Sequence, residues 1–147
     1  MQWQQGEFTI TTDPARFDVG VIHRFLHGSY WAKGIPLETV QRSIDHSIGF
    51  AILQGAQQVG FARVISDKAT YAYLCDVFVI ESARGQGLGK WLMQIIVAYH
   101  DLQGIRSFYL ATGDAHGLYR QFGFEVNEQW EKIMKRSDFR GYGRNGE

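Results

Sequence analysis

Residues Thr70–Ile80 are apolar on both faces of an extended chain. Tyr71, Tyr73, Cys75, Val77 and Val79 alternate onto one face, and Ala72, Leu74, Phe78 and Ile80 onto the other. A strand with two apolar faces must be covered on both, so this one belongs in the middle of a sheet. Its only charge is Asp76. A glycine-rich turn follows directly, and then the clearest helix in the chain. There Leu88, Trp91, Leu92, Ile95, Ile96, Tyr99 and Leu102 recur at the helical period and make a core-facing stripe that Gly104 ends. A buried strand, a tight turn and an amphipathic helix in succession require layered α/β architecture.

The flanking segments extend that frame. Asp13-Pro14 opens a helix over residues 13–27, and Pro36 a second one through Asp45. Residues 49–54 and 58–66 read as a hairpin that turns at Gln54-Gly55-Ala56-Gln57 and leads into the central strand. Beyond the long helix come a strand at Ser107–Ala111, a short helix at Ala115–Phe122 and a last strand at Glu128–Lys135. The expected fold is α/β, with a mixed, mostly antiparallel central sheet flanked by helices. The chain of 147 residues, 45% apolar, carries enough core for one domain over residues 1–147. Residues 136–147 are expected to form a flexible tail.

Composition removes several function classes. Fifteen basic residues balance fifteen acidic ones, which is unlike a protein that tracks phosphate backbones, so no nucleic-acid partner is expected. The tail sequence Arg140-Gly-Tyr-Gly-Arg144 is the one feature that favours RNA binding, and it occurs once. A single cysteine, Cys75, excludes an intramolecular disulfide framework and fits a reducing compartment. The N-terminus lacks the charged and apolar regions of a signal peptide, and no apolar run spans a bilayer, so a cytoplasmic protein with no membrane partner is expected. His23 and His27 stand four apart, but Arg24 sits where a metalloprotease helix has Glu, so no metal is expected.

The turn itself reads Arg84-Gly85-Gln86-Gly87-Leu88-Gly89-Lys90. Glycines before a helix start present backbone N–H groups, at the positive end of the helix dipole, to a phosphate. A Walker loop needs Gly at 84 and Ser or Thr at 91, where Arg84 and Trp91 stand. A dinucleotide fingerprint needs Gly at 90 or 92, where Lys90 and Leu92 stand. The spacing does fit Arg-x-x-Gly-x-Gly on Arg84, Gly87 and Gly89. Taken alone, the turn is either a phosphate cradle or a tightly packed connection.

A second motif follows some thirty residues on, Ala115-His-Gly-Leu-Tyr119-Arg-Gln-Phe-Gly123-Phe124. With both motifs at this separation, the sequence resembles the GNAT family of N-acetyltransferases. The central strand Leu74–Ile80, the Arg84–Gly89 loop and the long helix match its coenzyme A motif, and Ala115, Tyr119, Gly123 and Phe124 match its second motif. The resemblance covers roughly residues 10–135 in element order. Thr112 stands where many members carry Asn. Cys75-Asp76 stands where diamine acetyltransferases of the family carry Glu-Asp, which weakens a polyamine acceptor.

The resemblance implies transfer of an acetyl group from acetyl-CoA to a primary amine, on a small molecule or a peptide, by direct attack in a ternary complex. The N–H groups of Gln86–Lys90 would hold the pyrophosphate, with Gly85, Gly87 and Gly89 admitting it and Arg84 and Lys90 adding charge. The edge of Val77, Phe78 and Val79 would pair with the pantetheine arm, and Thr112 would lie beside the coenzyme. A backbone N–H near Val77 would meet the developing oxyanion. Tyr119 holds the general-acid position, and a phenol is protonated at neutral pH. Asp76 is either the base that takes the amine proton, an anchor for the acceptor, or a satisfied structural carboxylate. Tyr30 and Trp31 either line the acceptor pocket or belong to the core. Cys75 as an acyl-accepting nucleophile has no histidine beside it in sequence and reads better as a small buried hydrophobe. Dimers are common in the family, so a homodimer is a further expectation. The competing class is a non-catalytic acyl-CoA-binding module on the same fold, which would bind acetyl-CoA without turning over any amine.

Overall fold

The computed structural model describes residues 1–143. Arg144 of the basic tail motif therefore lies outside the described residues. Among the described residues, six strands form one sheet in the order of the chain: β1 (Gln2–Gln5), β2 (Phe8–Thr11), β3 (Ile48–Gln54), β4 (Gln57–Ser66), β5 (Tyr71–Val79) and β6 (Ser107–Leu110). Neighbours are antiparallel except β5 and β6, which run parallel. Helices α1 (Val19–His27) and α2 (Leu37–Asp45) cover one side, and α3 (Leu88–Ala98) and α4 (His116–Arg120) the other. This is the expected mixed, mostly antiparallel sheet, with the two-faced strand in its interior.

The amphipathic stripe explains α3. Leu88, Trp91, Leu92, Met93, Ile95 and Ile96 are buried against Phe50, Ile52, Val64 and Leu74 of the sheet. The stripe was expected to run to Leu102. The helix stops at Ala98 instead, because Tyr99 turns to extended geometry, and His100–Leu102 make a separate 3₁₀ turn. On the opposite side, Ile22 and Leu26 of α1 and Val40 and Ile44 of α2 cover Ala51, Leu53, Phe61 and Phe78.

Several sequence expectations change. The Asp13-Pro14 pair starts only a 3₁₀ turn, Pro14–Arg16, in which the Asp13 side chain accepts from the Ala15 N–H. The helix proper begins at Val19, where the Asp18 carboxylate caps the Val21 N–H. The hairpin β1–β2 was not anticipated. Its signals are Gly6, at φ +59 in the turn, and the buried alternation of Phe8 and Ile10.

The expected strand Glu128–Lys135 is absent. Its apolar residues Trp130, Ile133 and Met134 do not alternate, so no single sheet face collects them. The segment forms a 3₁₀ turn at Trp130–Lys132 and leaves all three exposed. Farther along, Tyr142 packs against Gly34 of the α1–α2 connection and touches the rim of the core there.

Candidate active site

The central strand does not keep the simple alternation its sequence suggests. Arg63 of β4 pairs with Cys75, yet Phe61 pairs with Phe78, so Asp76 and Val77 together oppose one residue. This is a β-bulge, and Asp76 takes the left-handed conformation at its head, φ +54, a region that Asp tolerates better than most residues. The extra residue exchanges the faces downstream. Ala72 and Leu74 face α3, whereas Phe78 faces α1, with its ring stacked on Phe25 at 4.0 Å. Val77 and Val79 in turn pack on the α3 side. The expected grouping of Ala72, Leu74 and Phe78 on one face is thereby overturned.

The parallel partner is shorter than β5. Pairing with β6 covers only Tyr71–Leu74, while β5 runs on to Val79 with β4 as its only strand partner among the described residues. The β6-facing edge of residues 75–79 is therefore left open beside the bulge. A backbone edge of this kind accepts an extended chain.

The glycine turn lies at the far end of that edge. Gly85 and Gly87 sit at φ +80 and +77, and a Cβ built on either would meet nothing within 4 Å. Tight packing therefore does not account for the glycines. What they provide is a left-handed backbone around open space. Gly87 caps α3 without a side-chain hydrogen bond, so the N–H groups of the first helical turn have no side-chain cap. Val79, Ala83, Arg84, Gly85, Gly87, Leu88 and Gly89 enclose a hollow of about 130 Å³ there. Backbone donors, a helix N-terminus and room beside them fit a phosphate group.

Individual residues in this stretch have distinct parts. Arg84 donates from Nε to the Val79 carbonyl at 2.8 Å, tying the turn to the strand end. Gln86 likewise donates to the Ala83 carbonyl. Leu88 and Phe78 are buried in the core, so only their backbone faces the cleft. Lys90 is exposed on the first turn. Thr112 follows β6, and its hydroxyl accepts from the Ala115 N–H at 3.0 Å, setting the start of α4.

Tyr119 on α4 is buried, 8% exposed, among the side chains under α3. Burial first, and then the Asp114 carboxylate, push its phenol above the ordinary value near 10. The hydroxyl therefore keeps its proton at neutral pH. Tyr119 lines a cavity of about 760 Å³ that runs along β6 to Thr112 and His116 and is closed on its other flank by Phe124–Asn127.

Asp76 is held from two directions. Its Oδ2 accepts from Arg63 Nε at 2.8 Å, and its Oδ1 from the Trp31 indole N–H at 3.1 Å. Arg63 also donates to the Ser47 hydroxyl at 3.0 Å. The carboxylate is thus fixed by β4 and the α1–α2 connection, and Arg63 is itself held by Ser47 just ahead of β3, with side-chain exposures of 15% for Arg63 and 10% for Asp76. The sequence reading identified neither Arg63 nor Ser47. Arg63 sits on β4 and Ser47 just before β3, and only the strand register brings them to Asp76.

Tyr30 and Trp31 are not core aromatics: they are 83% and 45% exposed, with rings in edge contact at 5.1 Å. Tyr30 reaches across toward Gly113, where its hydroxyl lies 4.0 Å from a Cβ built on that glycine. The α1–α2 connection thus bridges to the β6–α4 loop above the bulge. Cys75, next to Asp76, has its thiol pushed up to about 12 by burial, with the Arg63 guanidinium opposing and Asp76 adding to the rise. It carries almost no thiolate at neutral pH, which removes the reactive form a nucleophile needs.

A short parallel partner strand, a bulge where it ends and a glycine turn at a helix start together define a cleft of a recognisable class. The sequence model of the acetyltransferase (GNAT) domain matches residues 45–126, more than half of the chain. The crystal structure of a candidate GNAT acetyltransferase from Xanthomonas campestris pv. campestris superposes with a TM-score of 0.88. It is 49% identical and covers 91% of this chain and 95% of its own. A candidate acetyltransferase of Gibberella zeae is 29% identical over 140 residues, 80% of this chain and 78% of that protein. A candidate acetyltransferase from Clostridium acetobutylicum, solved with acetyl-CoA, shares the fold at a TM-score of 0.58 and 15% identity, over 76% of this chain and 84% of its own. The protein belongs to the GNAT acetyltransferase family.

Proposed function

We propose that the protein is an N-acetyltransferase that uses acetyl-CoA and a primary amine in one ternary complex. The observation that carries this reading is the open edge of residues 75–79, leading from the bulge at Asp76 to the glycine cradle at the start of α3. Bound there, acetyl-CoA would supply an acetyl group activated as a thioester. The N–H groups of residues 86–90 would hold its pyrophosphate, and the edge of Val77–Val79 would align its extended arm.

The remaining work belongs to this chain's side chains. Accepting a proton at Asp76 would break its ion pair with Arg63, so the carboxylate is assigned to orienting the amine by accepting an N–H hydrogen bond. The amine proton then leaves to solvent water. Tyr30 and Trp31, both solvent-exposed, border the point of attack and leave water access to it. Tyr119 keeps a proton on its hydroxyl for the departing sulfur, and its burial favours that form.

Tyr119→Phe tests the reading. The ring stays and one oxygen goes, so the fold should survive. General-acid help is worth about 10²–10⁴-fold, and a thiolate is already a fair leaving group, so kcat should fall about a hundredfold with acetyl-CoA affinity retained. A kcat within about twofold of wild type removes Tyr119 from the chemistry.

A further inference from the structure

Helices α1 and α2 cover only part of their side of the sheet. The core on that side takes in Ala51, Leu53, Phe61 and Phe78. Toward the other end of β4, β5 and β6, the same side carries Ile65, Tyr73, Tyr71 and Tyr109. The register places them together: Ile65 pairs with Tyr73, and Tyr73 pairs with Tyr109. None of the four packs into either core. Ile65 is 43% and Tyr71 44% exposed, and Tyr71 stacks on Tyr109 with ring centres 5.6 Å apart. Isolated exposed apolar residues need no explanation, but a contiguous aromatic face does.

This face is continuous with the candidate active site. Arg63, which pairs with Cys75 one step along the same ladder, lies between it and Asp76. At about 3.3 Å per residue, Tyr73 lies about 10 Å from Asp76 along the strand and Tyr71 about 16 Å. Charge narrows what fits. Asp76 is matched by Arg63, and at the far edge Lys68 is matched by Asp101 at 3.3 Å. A face with paired charges and three tyrosines has little to offer a polycation and much to offer a flat apolar body.

We propose that this face, from Trp31 and Asp76 along Tyr73 to Tyr109 and Tyr71, is the acceptor site and takes a monoamine with an aromatic body, an arylalkylamine. The inference rests on the acetyltransferase reading and names the substrate class of that site. The amine lies at Asp76 and the ring lies against Tyr73 with Tyr109 abreast of it, while Tyr71, about 16 Å away, continues the face beyond the reach of a phenethyl group. Each aromatic contact is worth about 2–10-fold in binding beyond the area covered.

Phenethylamine, n-butylamine and spermidine are compared as acceptors with the full chain. The expected kcat/KM for phenethylamine exceeds each of the others at least tenfold. Tyr73→Ala raises its KM about tenfold, while the KM for acetyl-CoA holds. If Tyr73→Ala does not fold by circular dichroism, Tyr109→Ala, at the sheet edge, carries the same expectation. Equal kcat/KM for the three amines, or variants with unchanged phenethylamine KM, overturns the inference and leaves the acetyltransferase reading standing. Acetyl-CoA binding without turnover of any amine overturns that reading instead. In that event, calorimetric titration of phenethylamine in the presence of coenzyme A still decides: binding that Tyr73→Ala abolishes supports the aromatic site, and no binding refutes it. A wild-type dimer in sedimentation that Tyr71→Ala dissociates makes the face a subunit interface and also refutes the proposal.

Discussion

Gly87→Ala separates what the glycine turn does for the fold from what it does for a ligand. Gly87 sits at φ +77 with nothing within 4 Å of a built Cβ. Alanine there meets no steric obstacle within the protein, and the only folding penalty is the left-handed backbone, about 1–2 kcal/mol. For a chain of this size, 1 kcal/mol corresponds to about 2–4 °C, so Tm should drop by about 2–8 °C. Gly104 gives a matched control. It has φ +72 and equally empty surroundings, but it lies past the other end of α3. Gly104→Ala should show the same thermal shift. The two variants should part company in acetyl-CoA binding. A methyl group in the cradle displaces phosphate from the N–H donors, and losing one charge-assisted hydrogen bond costs about 1.5–3 kcal/mol, or about 10–150-fold in Kd. Isothermal calorimetry at a temperature where both variants are folded measures this. Equal Kd values for Gly87→Ala and Gly104→Ala would refute the cradle, because the glycines would then serve only the turn.

Arg63→Met leaves the Asp76 carboxylate, 10% exposed, with only the Trp31 indole for company; at the low end of the range for a broken buried pair, about 3 kcal/mol, Tm should fall by about 6–12 °C. A shift under 2 °C in thermal denaturation would mean that solvent already screens the pair. Burial holds the Cys75 thiol at about 12, against about 8.5 for a free cysteine, so at pH 8 alkylation by iodoacetamide should be about a thousandfold slower in the folded chain than in the unfolded one. The fold retains that proton, so the linked stability is complete below the unfolded thiol's pKa and declines as pH rises toward 12. A folded-state alkylation rate near that of the unfolded chain would contradict the burial argument.

Much of the candidate site is local in sequence and could be read there. The turn Arg84–Lys90, the stripe of α3 and Tyr119 all express short-range rules: backbone freedom at glycine, the helical period, and a motif within one helix and its flanks. The N-terminal hairpin also announces itself through Gly6 and the alternation of Phe8 and Ile10. The segment 128–135 shows the limit. A strand is expected there, but Trp130, Ile133 and Met134 cannot share one face, and the segment forms a 3₁₀ turn instead.

What the chain alone determined is the order of layers: a two-faced strand must be interior, and a helix with one apolar stripe must lie on it. The bulge at Asp76 was decided by the register of β4 against β5, which no alternation pattern within β5 records. That one extra residue turned Phe78 toward α1 and left Asp76 where Arg63 and Trp31 converge on it, with Ser47 steadying Arg63 from behind. The tyrosine face has the same origin. Tyr71 and Tyr73 look like core residues in sequence, and they stay uncovered because α1 and α2 reach only the other part of the sheet. Which apolar face is buried depends on where the helices lie, and that is settled by packing among residues distant in the chain.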